Sequence, residues 1–137
     1  MPARSRARKR ALDILYAAEM RSTNAVTFLD QAIEAGEGPK NPYVELLVRG
    51  VSEHRTRIDE LLTEYSLGWA LNRMPAVDRS VLRIGVFELL WSEDVPGPVA
   101  VDEAVALVRD LSTDDSPGFV NGVLGAMLRA KDEIPTS

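Results

Sequence analysis

Apolar positions recur at helical spacing along most of the chain, and proline and glycine divide it into helix-length segments. No stretch alternates between apolar and polar residues over the length of a useful β-strand. The pattern predicts helices over about 3–20, 25–35, 42–67, 78–92, 98–111 and 119–131. The third segment is expected to bend or break near Ser52. We therefore predict an all-α fold, a compact single-domain helical bundle of six or seven helices that spans residues 1–137.

Two polar loops, 36–42 and 112–118, interrupt the predicted bundle. The segment that follows Asp78 is apolar around most of its circumference, which predicts a central helix. We expect Asp78 to cap this helix, because an aspartate side chain accepts hydrogen bonds from the free amides of a first turn. Glu88 lies on an apolar face of the same helix, so a structural ion pair is favoured over a functional acid.

Several function classes find no support in the composition. No apolar run approaches the roughly 18–20 residues that a membrane span needs, and no apolar region of a secretory signal follows the basic start. The chain has no cysteine, which excludes thiolate metal sites and is compatible with the cytoplasm. His54 is the single histidine, in a charged run that favours a solvated side chain. Glycines 118, 122 and 125 favour close helix packing over a phosphate loop. We predict neither an enzyme nor a bound cofactor.

The charge distribution is uneven along the chain. The overall net charge is −5, yet residues 1–10 contain no acid. The basic residues of this segment are Arg4, Arg6, Arg8, Lys9 and Arg10.

On a helical projection, Arg6, Lys9 and Arg10 lie opposite the alanine stripe, with Tyr16 close in angle to Lys9. Arg4 and Arg8 fall on the apolar side, so we expect them to extend past the edge of the core. Such a helix end suits RNA, because guanidinium groups bind phosphates and a tyrosine ring can stack on an unpaired base. An ordinary amphipathic helix with a solvated end explains the same spacing, and the residues alone leave both interpretations open.

Four blocks of the sequence, in order along nearly the whole chain, resemble the NusB antitermination factor family. The most specific is Phe119-Val-Asn-Gly-Val-Leu124, preceded by Ser112 and an acidic loop. The other blocks are Arg6-Ala-Arg8 with Ala11-Leu-x-x-Leu-Tyr16, Val77-Asp-Arg-Ser-Val-Leu-Arg-Ile-Gly-Val-Phe-Glu-Leu89, and Pro96-x-x-Val99 with Val101-Asp-Glu-Ala-Val105.

The resemblance implies a cytoplasmic factor that binds single-stranded boxA RNA of nascent ribosomal RNA leaders. It implies two protein partners, a small-subunit ribosomal protein that acts as NusE and the RNA polymerase antitermination complex. The arginine-rich start would grip phosphates, and Asp115, Ser116 and Phe119 would lie beside the RNA. Tyr16 and Asp78 would lie at or near the NusE contact. Phe119 is as compatible with the core as with base stacking, and the amides at its helix start could bind an oxyanion.

The chain departs from the family pattern at Gly118 and Ser5, where basic residues are common, and both changes remove positive charge from the RNA side. One alternative keeps the fold and changes the role. Similar domains occur at the N-terminus of ribosomal RNA cytosine methyltransferases, although a chain ending at Ser137 has no room for their catalytic domain. A purely structural or protein-binding helical module is a second alternative. A homodimer that covers the basic helix is also compatible with the sequence.

Overall fold

The computed structural model describes residues 2–136, and within them the regular structure is entirely helical. Short 3-10 turns lie at Leu71–Arg73 and Lys131–Glu133. The α-helices of the described residues are α1 Ala3–Met20, α2 Ala25–Glu34, α3 Pro42–Glu53, α4 Arg55–Tyr65, α5 Ala76–Trp91, α6 Gly97–Leu111 and α7 Ser116–Arg129. This confirms the predicted all-α class.

Most helix boundaries follow the sequence pattern closely. The bounds of α1 match the prediction, and the third predicted segment breaks at His54, close to the expected Ser52. Helix α5 begins two residues before Asp78, and α7 begins at Ser116, inside the predicted 112–118 loop. In the described part of the chain, no helix combines the length and the apolar character needed to cross a bilayer.

The chain divides into two compact units, Met1–Glu53 and His54–Ser137. In the first unit α1 packs against α2 and α3, and the alanine stripe of α1 is buried with Leu12, Ile14 and Leu15. The Asn24 side chain caps α2 by accepting hydrogen bonds from the next turn's amides. Arg49 of α3 joins α2 to α3 through an ion pair with Asp30. Assembly of both units into one domain over residues 1–137 stays a prediction.

In the second unit α5 is the central helix, as its apolar circumference predicted. It packs against α4, α6 and α7, and residues 81–89 are all buried. Gly85 makes the close approach possible, because a Cβ atom there would lie 2.7 Å from a Leu124 side-chain carbon. The buried Arg83 side chain donates to both carboxylate oxygens of Asp59 of α4, from Nε at 2.9 Å and from Nη2 at 3.2 Å.

Candidate nucleic-acid interface

The first half of α1 presents a cationic surface in the first unit. The exposed basic side chains are Arg4, Arg6, Lys9 and Arg10. No acidic residue lies in the first turn of α1, and Pro2 at its N-cap supplies no side-chain hydrogen bond. Because the N-terminus of a helix carries partial positive charge, cations there oppose the helix dipole. The cations at this end therefore do not stabilise α1 through its dipole.

A cleft beside this surface adds a basic residue that the sequence analysis did not single out. It has a volume of about 540 Å³, and Arg6, Arg10 and Lys40 line it. The Asn41 side chain, next to Lys40, joins this loop to the start of α1: its amide nitrogen donates to the Ala3 carbonyl at 3.4 Å, and its oxygen accepts the Tyr43 amide at 2.9 Å. In the sequence, Lys40 is recognisable only as the single cation of the 36–42 loop. The other basic residues of the cleft, Arg6 and Arg10, belong to α1, so the sequence does not show that they lie near Lys40.

Arg8 departs from its expected position. It is only 3% exposed, so the expectation that its side chain extends past the edge of the core is wrong. Its guanidinium carbon lies 5.8 Å from the centroid of the Tyr43 ring, and that of Arg4 lies 4.5 Å from the same centroid. A guanidinium group over the face of an aromatic ring is attracted by the negative charge of that face. Burial gives Arg8 a packing role, and the RNA contact predicted for it stays untested.

Tyr16 lies on α1 two turns after Lys9 and is 38% exposed. Its position is compatible with the partner contact that the family resemblance implies. Met20, one turn further on, is 50% exposed. The end of α1 therefore presents apolar side chains, whereas its beginning presents cations.

In the second unit, Asp78 is buried and does not cap α5. Pro75 occupies the N-cap, and Asp78 lies within the first turn at 2% exposure. Its two carboxylate oxygens accept hydrogen bonds from the hydroxyls of Ser112, at 2.6 Å, and Ser116, at 2.8 Å. The predicted N-cap is therefore wrong, and the acid instead joins the start of α5 to the start of α7. A direct partner contact by a side chain this buried has little geometric support.

Ser116 shares this network, which limits what its hydroxyl can offer to RNA. The residue is 1% exposed, and its oxygen also accepts the Thr113 amide at 3.2 Å. Asp115, the N-cap of α7, is exposed and makes no side-chain capping bond. Of these two predicted RNA-side residues, Asp115 is the accessible one.

Phe119 is half-buried, between the two roles that the sequence left open. Its ring centroid lies 6.1 Å from that of Trp69, with the ring planes inclined at 59°. The expected oxyanion site at its amide is wrong, because that amide already donates to the Asp115 carbonyl at 3.2 Å. The helix starts three residues before Phe119, so its amide belongs to the ordinary helical ladder.

An open cavity of about 320 Å³ adjoins the Phe119 ring. Its lining residues are Trp69, Arg73, Met74, Pro75, Asp78, Thr113, Asp115, Ser116 and Phe119. Trp69 and Arg73 were not among the predicted site residues. The signal available in the sequence was a tryptophan between Gly68 and Ala70, outside any helical stripe.

Three other expectations concern residues away from these surfaces. A Cβ atom at Gly118 or Gly122 would meet nothing within 4 Å, so the expected close helix packing on this side is wrong at both positions. His54 is not simply solvated, because its ring stacks on Trp91 with centroids 4.3 Å apart. Glu88 is 1% exposed. Among the described residues no buried side-chain nitrogen or oxygen lacks a hydrogen-bond partner, which supports a structural role for this acid.

Comparison with known proteins identifies a family. The model of the NusB family matches residues 5–129. The transcription antitermination protein NusB of Nocardioides sp. is 64% identical over 134 residues, which cover 98% of this chain and 99% of that protein. The solved structure of T. maritima NusB superposes with a TM-score of 0.82 at 30% identity, covering 98% of this chain and 99% of that one. A solved complex of antitermination factors NusB and NusE with double-stranded RNA matches with a TM-score of 0.78 at 27% identity, covering 94% and 99%.

Proposed function

Because the chain belongs to the NusB family of transcription antitermination proteins, we propose that it binds boxA RNA of ribosomal RNA leader transcripts. It does so together with the small-subunit ribosomal protein that acts as NusE, and the assembly loads onto RNA polymerase and supports processive transcription of ribosomal RNA. This role belongs to the cytoplasm. It requires recognition of RNA and of proteins, and no catalytic step.

The observation that carries the proposal is the cationic cleft at the start of α1. Arg6, Arg10 and Lys40 converge on it from two separate segments of the first unit. Guanidinium and ammonium groups that converge in this way match the phosphates of a nucleic acid strand. The overall net charge of −5 opposes general binding of nucleic acid, so binding requires a local cationic surface such as this one.

The partner side of the proposal depends on the exposed end of α1. Tyr16 is accessible there, and a related NusB has been solved in a complex with NusE and RNA. A tyrosine at a protein interface supplies a large apolar ring and a hydroxyl that can donate or accept. Asp78 contributes by fixing the start of α7, because it is too buried to contact a partner directly.

Fluorescence anisotropy with a short labelled single-stranded boxA RNA tests the proposal. The comparison RNAs are a scrambled sequence and a boxA duplex, each with and without the ribosomal protein and at two salt concentrations. We expect preference for single-stranded boxA and tighter binding in the presence of the partner. Equal, weak binding to all three RNAs, unchanged by the partner, would contradict the proposal.

Substitutions in the cleft test where the RNA binds. In the double variant Arg6→Ala/Arg10→Ala, each lost phosphate contact should flatten the log–log salt slope by about 0.7. Lys40→Ala should flatten it by a further such step. The matched control is Lys131→Ala, which removes an exposed lysine from the second unit. If Lys131→Ala changes the slope as much as Lys40→Ala does, binding reflects overall charge and the cleft is not the site.

The same titration distinguishes the alternative of a helical module like the N-terminal domain of ribosomal RNA cytosine methyltransferases. Such a module should bind RNA without preference for boxA and without a response to the ribosomal protein. Sedimentation of the free protein at the concentrations of the titration measures whether a homodimer forms. A dimer that dissociates on addition of RNA would indicate that the cationic end of α1 is covered in the free state.

A further inference from the structure

The segment between α4 and α5 exposes large apolar side chains. Leu67 is 92% exposed and Trp69 is 57% exposed. Leu67 also has a positive φ of 54°, which is uncommon for a residue with a branched side chain. An exposed tryptophan next to a strained backbone contributes little to the core, which makes the segment a candidate for binding.

Specific hydrogen bonds hold this segment in place. The hydroxyl of Ser66, itself 1% exposed, donates to the Trp69 carbonyl at 2.7 Å. The Arg79 guanidinium of α5 donates to the carbonyls of Leu71 and Met74, at 2.9 and 3.0 Å. Because both the Trp69 backbone and the following turn are fixed from the interior, the exposed indole is presented on an ordered support.

The Trp69 ring shares an open cavity with Phe119. Their planes are inclined at 59° and their centroids lie 6.1 Å apart, so the two rings do not stack face to face. Arg73 lines the same cavity of about 320 Å³, which is large enough for a small planar ligand. Asp115 also lines the cavity, and its negative charge repels a phosphate there. A phosphate is therefore expected beside Arg73 at the rim, with a neutral base inside.

We propose that Trp69 and Phe119 form a subsite for one unpaired base of the bound RNA, with Arg73 holding the adjacent phosphate. Single-stranded RNA is recognised by bases that leave the stack and lie on aromatic side chains, beside arginines that neutralise the backbone. A cation and two aromatic rings around one cavity meet both requirements. This inference rests on the proposed RNA-binding function and assigns Trp69 and Arg73 to it.

A scan with abasic RNAs tests the subsite. Each boxA oligonucleotide of the set lacks one base, and every RNA is titrated with the unsubstituted protein and with Trp69→Ala. Trp69→Ala should weaken binding of intact boxA by roughly 5- to 150-fold, the range expected for one stacked base. One of the abasic RNAs should bind Trp69→Ala and the unsubstituted protein with equal affinity, because the base that Trp69 stacks on is already missing. Trp69→Phe should retain most of the affinity.

The matched control is Leu67→Ala, which removes an exposed apolar side chain two residues away that does not line the cavity. It should leave RNA affinity unchanged. Far-UV circular dichroism on heating verifies that each variant is folded before titration. If Trp69→Ala fails to fold, the comparison of Trp69→Phe with Arg73→Ala decides, since Arg73→Ala should flatten the salt slope by about 0.7.

Failure of the subsite can be distinguished from failure of the proposed function. If the Trp69 variants bind boxA as tightly as the unsubstituted protein while Arg6→Ala/Arg10→Ala weakens binding, the proposed base subsite is wrong and the RNA-binding function stands. If the Trp69 variants keep their RNA affinity but lose the tightening caused by the ribosomal protein, the cavity binds a protein side chain. If the unaltered chain shows no boxA preference, both proposals are wrong.

Discussion

Replacing Asp78 by alanine should destabilise the protein rather than remove a surface contact. The acid is 2% exposed and accepts hydroxyl hydrogen bonds at 2.6 and 2.8 Å. A hydrogen bond to a charged group contributes about 1.5–3 kcal/mol. Removing the carboxylate also removes the cost of burying it. The free energy of unfolding should therefore fall by about 3 kcal/mol, the lower end of the range for two such bonds.

Urea unfolding followed by circular dichroism measures this loss. Ser116→Ala and the double variant Asp78→Ala/Ser116→Ala complete a double-mutant cycle, and we expect a coupling energy of about 1–2 kcal/mol for the direct bond. Affinity for the ribosomal protein is then measured where every variant is folded, and it should change little for Asp78→Ala. Unaltered stability together with lost partner affinity would refute the structural role and return Asp78 to the partner interface.

Further stability predictions concern the packing of α5. Gly85→Ala places a methyl group 2.7 Å from a leucine side chain of α7 and should cost about 1–3 kcal/mol of unfolding free energy. Its control Gly122→Ala meets nothing within 4 Å and should stabilise its helix by up to about 1 kcal/mol. Asp59→Ala removes one partner of the buried Arg83 and should cost about 1–3 kcal/mol, below the value for a fully buried pair because Asp59 is partly exposed. Glu60→Ala, in an exposed pair, should cost under about 1 kcal/mol. Equal thermal midpoints within either pair of variants would contradict these assignments.

The helices were predictable because their signals are local. The bounds of α1 and the central position of α5 follow from spacing within one segment, since a stripe of apolar residues must be buried wherever the helix packs. The break near Ser52 was also predictable, although the structure places it at His54. Helix starts were less accurate, because Ser116 begins α7 in a segment whose serine, proline and glycine favour a loop equally well.

The candidate site was harder to predict because its members depend on side-chain direction and on distant segments. The position of Arg8 on the apolar side of α1 was evident from the projection, but whether its stem ended in solvent or in the core depends on what packs around it. Asp78 has the residue type and position of an N-cap. Its carboxylate is instead buried because it accepts hydrogen bonds from Ser112 and Ser116, more than thirty residues away. A local pattern identifies a polar residue near a helix start without identifying its partner.

Trp69 and Lys40 lie outside the α-helices, yet they line the two surfaces to which we assign RNA binding. Neither belongs to an apolar stripe, so periodicity assigns them no role. Neighbouring side chains fix the backbone of both loops: Ser66 bonds to the Trp69 carbonyl, and Asn41 joins the Lys40 loop to the start of α1. Regular helices thus supply the rigid frame, and short ordered loops add the ring and the cation that the helices alone do not present. Residues that bind RNA in this chain should therefore be sought where a loop is fixed from the interior while its large side chain stays exposed.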